Sequence, residues 1–127
     1  MIDKRRHGVL GHMGLLTASA NGVDTSPIIS GLWVYETVLG KKAPSPPDSV
    51  PAIEPDIRNA KTIRDKLEKH RADKNCRICH KRFDHFGFAL ENFDALGRWR
   101  TDYLEYPGGN KRRKPLKAPI DSNGQMI

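Results

Sequence analysis

The chain has 127 residues, enough for one domain or for pieces of two. Hydrophobic residues make up only 37%, which is lean for an independent core, and 22 Lys+Arg against 15 Asp+Glu leave a net charge of +7. No apolar stretch reaches the length of a membrane-spanning helix, and the basic opening Met1–Gly8 lacks the apolar run of a secretory signal. Much of the positive excess is local, in Lys4-Arg5-Arg6 and Lys111-Arg112-Arg113-Lys114. Neither run is interleaved with aromatics or set on an amphipathic helix. Both read as solvated segments, and nucleic acid is not the expected partner.

Glycines at 8, 11 and 14 allow only a short helix or turn near Leu15, displaying His12 and Met13. The clearest helix opens at Ser26-Pro27, an N-cap followed by proline at the first helical position. Ile28, Leu32, Tyr35 and Leu39 recur at helical spacing, with Ile29, Trp33 and Val38 widening the stripe. Gly40 supplies the residue past the end, and Lys41-Lys42 suit the negative pole of the dipole. Such a stripe is most often plain core.

Residues 43–56 carry five prolines and read as a stiff, extended connector. A second helix begins at Thr62, with Asp65 three residues on completing a variant of the capping box. Asp73-Lys74-Asn75 turns the chain into Cys76. After the motif that follows, all four phenylalanines fall in one segment, Phe83 to Phe93, which predicts packing on something flat and apolar. Asp94–Gly97 ends that helical stretch. Arg98–Tyr103 alternates like a short strand, and the sequence from Tyr106 on reads as a loop. Asp56, Asp65 and Asp84 read as caps and surface charges. With no Ser/His/Asp order, phosphate loop or paired carboxylates, no catalytic residue is assigned, and the chain is not expected to be an enzyme by itself.

The sharpest signal is Cys76-Arg77-Ile78-Cys79-His80. C-x-x-C-H is the attachment pattern for a c-type haem, whose vinyl groups take up the two thiols while the adjoining histidine ligates the iron. These are the only two cysteines. The residues alone leave alternatives open. Zinc could be held by Cys76, Cys79, His80 and His85 in a basic nucleic-acid-binding module, and the pair could also be inert or disulfide-bonded. A thioredoxin-like site is disfavoured, because no apolar strand precedes Cys76.

The order of motifs carries a resemblance. Leu10-Gly11-His12, Thr25-Ser26-Pro27, Gly31, Trp33-Val34 and Leu39-Gly40 come first, and the proline strap follows. His70-Arg71 leads into Cys76–His80. Then come Gly87-Phe88-Ala89-Leu90-Glu91-Asn92-Phe93-Asp94 and Gly97-Arg98-Trp99-Arg100. Over residues 5–103 this resembles the planctomycete-type cytochrome c (PSCyt) domains, found near the C-terminal end of large secreted multidomain proteins and of unknown function.

The resemblance implies a mainly α, small cytochrome c-like helical domain with a proline-rich strap and a short β/loop tail. It would span residues 1–103, connector 43–56 included. Residues 104–127 would form a basic loop and the truncated start of a following small domain. It implies one covalent haem c on Cys76 and Cys79 with His80 as proximal ligand, in a periplasmic or otherwise exported fragment of a larger redox protein. Partners would be a redox protein or adjoining domains.

The packing side chains would be Phe83, Phe86, Phe88, Leu90, Phe93 and Trp99. For the sixth iron ligand the candidates are Met13, His12, His85, His70 and Met126, with Met13 or His12 preferred and His85 the alternative. Methionine would raise the potential and a second histidine generally lower it. The family's usual Asp-Pro-Leu-Gly-Phe is Asp84-His85-Phe86-Gly87-Phe88 here. The expected function is electron transfer. The rival to it is a haem that only staples a lean fold.

Overall fold

Ser26 and Pro27 start the helix that makes the main packing contact among the described elements. In the computed structural model, residues 4–5, 7–20, 25–45, 62–105, 112 and 114–124 are described. The fold is helix-rich, with a small two-stranded antiparallel sheet. Helix α1 spans Met13–Ala18, α2 Pro27–Trp33, α3 Ile63–His70, α4 Lys74–His80 and α5 Asp84–Phe88. Strands β1, Asp102–Glu105, and β2, Leu116–Pro119, pair in the register Asp102 to Pro119 through Glu105 to Leu116. Most of the connector 43–56 lies outside the described residues.

The caps form as their residue types dictate. The Ser26 hydroxyl accepts from Ile29 N–H at the start of α2. Thr62 and Asp65 complete a reciprocal capping box on α3, both bonds 3.0 Å long. Beyond Trp33 the helix widens into a π-helical turn, Val34–Val38, in which Leu39 N–H donates to the Val34 carbonyl. Gly40 then takes φ 62°, and Lys41 N–H reaches back to the Tyr35 carbonyl. This is the left-handed stop that its sequence position predicts.

The central packing unit is α2 against α5. Two glycines make it possible. A Cβ on Gly31 would overlap the Phe83 carbonyl, and one on Gly87 would overlap the Pro27 carbonyl, so the two backbones touch directly. The buried face of α2 is therefore Pro27, Ser30 and Gly31, continued by Val34 and Tyr35 in the π-helical turn. Of the expected stripe, Tyr35 is buried, Ile28 and Leu32 are only half-buried and Leu39 is exposed, as are Ile29 and Val38. Close backbone approach selects the small residues of a helix rather than its large ones. Under the start of α2, the Ser30 hydroxyl donates to Ser19 at 3.0 Å and ties α1 to α2. The apolar core is Leu16, Val34, Tyr35, Leu67, Cys76, Phe83, Phe88 and Phe93.

The segment after α5 differs from expectation. The helix ends at Phe88, not at Gly97. Residues 89–92 turn, Phe93 bridges to Trp99, and their rings meet edge to face at 5.3 Å. Gly97 at φ 71° closes the intervening loop, whose Asp94 carboxylate accepts from Leu96 N–H, Arg98 N–H and the Arg98 guanidinium. The strand begins at Asp102, four residues after the alternation that announced it. Residues 120–124 pack back onto the helices. The Arg64 guanidinium lies 4.0 Å over the Phe88 ring and donates to the Asp121 and Asn123 carbonyls at 2.9 Å each.

Candidate functional site

The chemistry gathers on α4. Asp73 caps it by accepting from Asn75 N–H at 2.7 Å, so Lys74 and Asn75 belong to its first turn and do not lead into it as a loop. On a helix, positions i, i+3 and i+4 share one face. Cys76, Cys79 and His80 therefore project together, while Arg77 and Ile78 are exposed. The Arg77 side chain donates to the Arg71 carbonyl at 3.1 Å and locks α4 against the end of α3.

That face borders a cavity of about 250 Å³. Asn75, Cys76, Cys79 and His80 of α4 form one wall, with Phe83 beside them. Ile28 and Leu32 of α2 face them, and His70, Ala43 and Pro44 complete the lining. Both thiols are free, Cys76 buried and Cys79 half-buried. Burial pushes the Cys76 thiol above its ordinary range, and the nearby Asp73 carboxylate adds to that.

His80 is fixed from behind. Its Nδ1 lies 3.0 Å and 3.1 Å from the two carboxylate oxygens of Asp84, one helical turn on. Asp84 is 1% exposed. A carboxylate so placed accepts the Nδ1 proton, which sets the tautomer and leaves the lone pair on Nε2. Nε2 has no hydrogen-bond partner among the described residues. Phe83 packs at 5.5 Å from the His80 ring, and His70 meets that ring edge-on at 5.0 Å. Asp84 is thus no surface charge. Asp65 is the cap it was expected to be, and Asp56 lies outside the described residues.

The other candidate residues are placed elsewhere. His12 uses Nδ1 to accept from Gly14 N–H at the start of α1, and Met13 is 52% exposed; neither lines the cavity. His85 also lies off the lining. Its ring lies tilted at 42° against Phe86 with centroids 3.9 Å apart, and its Nδ1 is buried with no partner among the described residues. Met126 lies outside the described residues. Among the described residues, no three His, Cys, Asp or Glu side chains cluster so as to hold a metal ion, so the set Cys76, Cys79, His80 and His85 is not assembled.

Of the six packing candidates, Phe83 lines the cavity, and Phe86, Phe88, Leu90, Phe93 and Trp99 do not. The reason is the Gly31/Gly87 contact. With α5 pressed on α2, Phe88 and Phe93 fill the core instead.

Two features escaped the sequence. The pairing of His80 with Asp84 had a signal, His-x-x-x-Asp at helical spacing. The second is a buried knot around Glu91, 2% exposed. Its carboxylate accepts from Thr25 at 2.9 Å, Arg100 at 3.1 Å and Tyr103 at 2.8 Å. Burial and that carboxylate push the Tyr103 phenol far above its ordinary range. The knot joins the entry to α2 with the entry to β1.

Among the described residues no helix is long and apolar enough to cross a membrane. No curated protein and no solved structure matches the chain. One family model does, over residues 6–103, described as PSCyt3, protein of unknown function (DUF1588). The motif order, the helix bearing Cys76–His80 and that match agree: the chain belongs to the PSCyt3 family, a planctomycete cytochrome-type domain of unknown function.

Proposed function

We propose that this is a c-type haem-binding electron-transfer domain of cytochrome c-like character, part of a larger exported redox protein. The observation that carries the reading is the shared face of α4. Two free thiols and an imidazole with an available Nε2 border one apolar-walled cavity. The donor set fits the group. Haem c needs two thiols three residues apart and one nitrogen ligand, and no further cluster of protein ligands. The cavity is smaller than the roughly 300–1,000 Å³ of ordinary ligand pockets, so a macrocycle would fill it and protrude. The bound group would supply one-electron chemistry at iron.

The chain's own side chains do the rest. Cys76 and Cys79 would hold the group through thioethers, each S–H adding across a vinyl bond with nothing leaving, and His80 would offer Nε2 as the nitrogen ligand. Ile28, Leu32 and Phe83 would shield that nitrogen from water, which together with the ligand would set the potential. A redox protein or adjoining domains of the parent protein are the natural electron partners.

The test is an absorption spectrum after expression in an exporting, haem-maturing host. A Soret band that shifts with dithionite and returns with ferricyanide is expected, and in His80→Ala the iron loses its nitrogen ligand and the band changes position. A redox-silent sample, or a spectrum that His80→Ala leaves untouched, contradicts the reading.

A further inference from the structure

Asp84 lies in the first turn of α5, where an exposed carboxylate would serve the helix equally well. Burying an ion costs several kcal/mol unless it is well paired, and well-packed apolar residues usually serve stability as well or better. Asp84 is 1% exposed, and both its oxygens are directed at a single atom, His80 Nδ1. Among the described residues no lysine, arginine or backbone N–H shares it. Shut off from solvent, the carboxylate acts in a low local dielectric. A hydrogen bond to an ionised acceptor is roughly twice as strong as a neutral one. A ligating histidine tied this way is a more basic donor through its other nitrogen.

We propose that Asp84 is a positioning residue which, by holding His80 through Nδ1–H, makes Nε2 an electron-rich axial ligand and biases the iron toward its oxidised state. This rests on the haem reading above. On reduction one electron enters the iron, supplied in the test by dithionite, and the Nδ1 proton stays on the imidazole in both states. A backbone carbonyl in the carboxylate's place would fix the same tautomer without this bias. Asp84 thus acts on the equilibrium rather than on the assembly of the site.

The test uses the matured holoprotein in a spectroelectrochemical titration. Asp84→Asn keeps an acceptor at the position and removes the charge. It should favour the reduced form about tenfold, a rise of about 59 mV for one electron. Asp84→Glu should return the equilibrium toward the wild-type value. A second measurement needs no substitution, so it stands if Asp84→Asn fails to fold. In the reduced, histidine-¹⁵N-labelled wild type, the His80 Nδ1 proton should be strongly downfield and slow to exchange with water. An Asp84→Asn protein that carries haem at the wild-type potential overturns the proposal, as does a freely exchanging Nδ1 proton. A wild type that takes up no haem removes the electron-carrier reading itself, and this inference with it.

Discussion

At the scale of single residues, His85 carries a pH dependence that can be signed. Burial lowers its pKa from the ordinary 6.5, outweighing the Lys81 carbonyl and the Asp84 charge, which pull upward; Arg71 pushes it further down. The folded state therefore resists protonating this ring. Its contribution to stability is complete above the unfolded value of 6.5 and is lost as pH falls through the lower folded value. Chemical unfolding followed between about pH 7 and 5, where histidine titrates, should show wild-type stability declining. His85→Gln should flatten that decline, and parallel curves for the two proteins would contradict the assignment. His85 follows the C-x-x-C-H run closely enough to suggest a ligand, but its ring is committed to Phe86 and lies off the cavity.

At the scale of elements, the crossing of α2 and α5 holds the domain's two halves in register. Neither Gly31 nor Gly87 has room for a methyl group, because the obstacle is rigid backbone on the partner helix. Overpacking a core costs about 1–3 kcal/mol where side chains can adjust, and here they cannot. Gly87→Ala should accordingly lose at least about 2 kcal/mol in urea unfolding at unchanged slope, whereas a midpoint within about 0.5 kcal/mol of wild type would show the contact to be dispensable.

What could be read from the sequence follows from this crossing. Caps are local, so Ser26, Gly40, Thr62 and Asp65 announced their roles correctly. The buried face of α2 is set by a partner sixty residues away. Periodicity pointed to Ile28, Leu32, Tyr35 and Leu39; Tyr35 is core, but the tight contact took Gly31, left Ile28 and Leu32 facing the cavity and Leu39 exposed. The post-motif aromatics were grouped correctly but assigned to one surface. A five-residue helix scatters them, and only Phe83 stays beside His80.

At the scale of the whole molecule, the question is how so lean a chain holds together. Among the described residues the apolar core is eight side chains, supplemented by two buried carboxylates, Asp84 and Glu91. The Glu91 knot is satisfied by three donors within the protein. The face of α4 is not. Free thiols, an imidazole nitrogen without a partner among the described residues and half-buried aliphatic side chains meet there. A covalently attached apolar group would bury that face and cross-link it, stabilising the fold as it supplies the redox centre.

The decisive measurement is the intact mass of the denatured protein after maturation. The expected result is the polypeptide mass plus one whole haem, with colour surviving denaturation, and with the added mass and the colour both lost in Cys76→Ser/Cys79→Ser. A colourless chain at its bare polypeptide mass, from a host that matures a control cytochrome c, would contradict it.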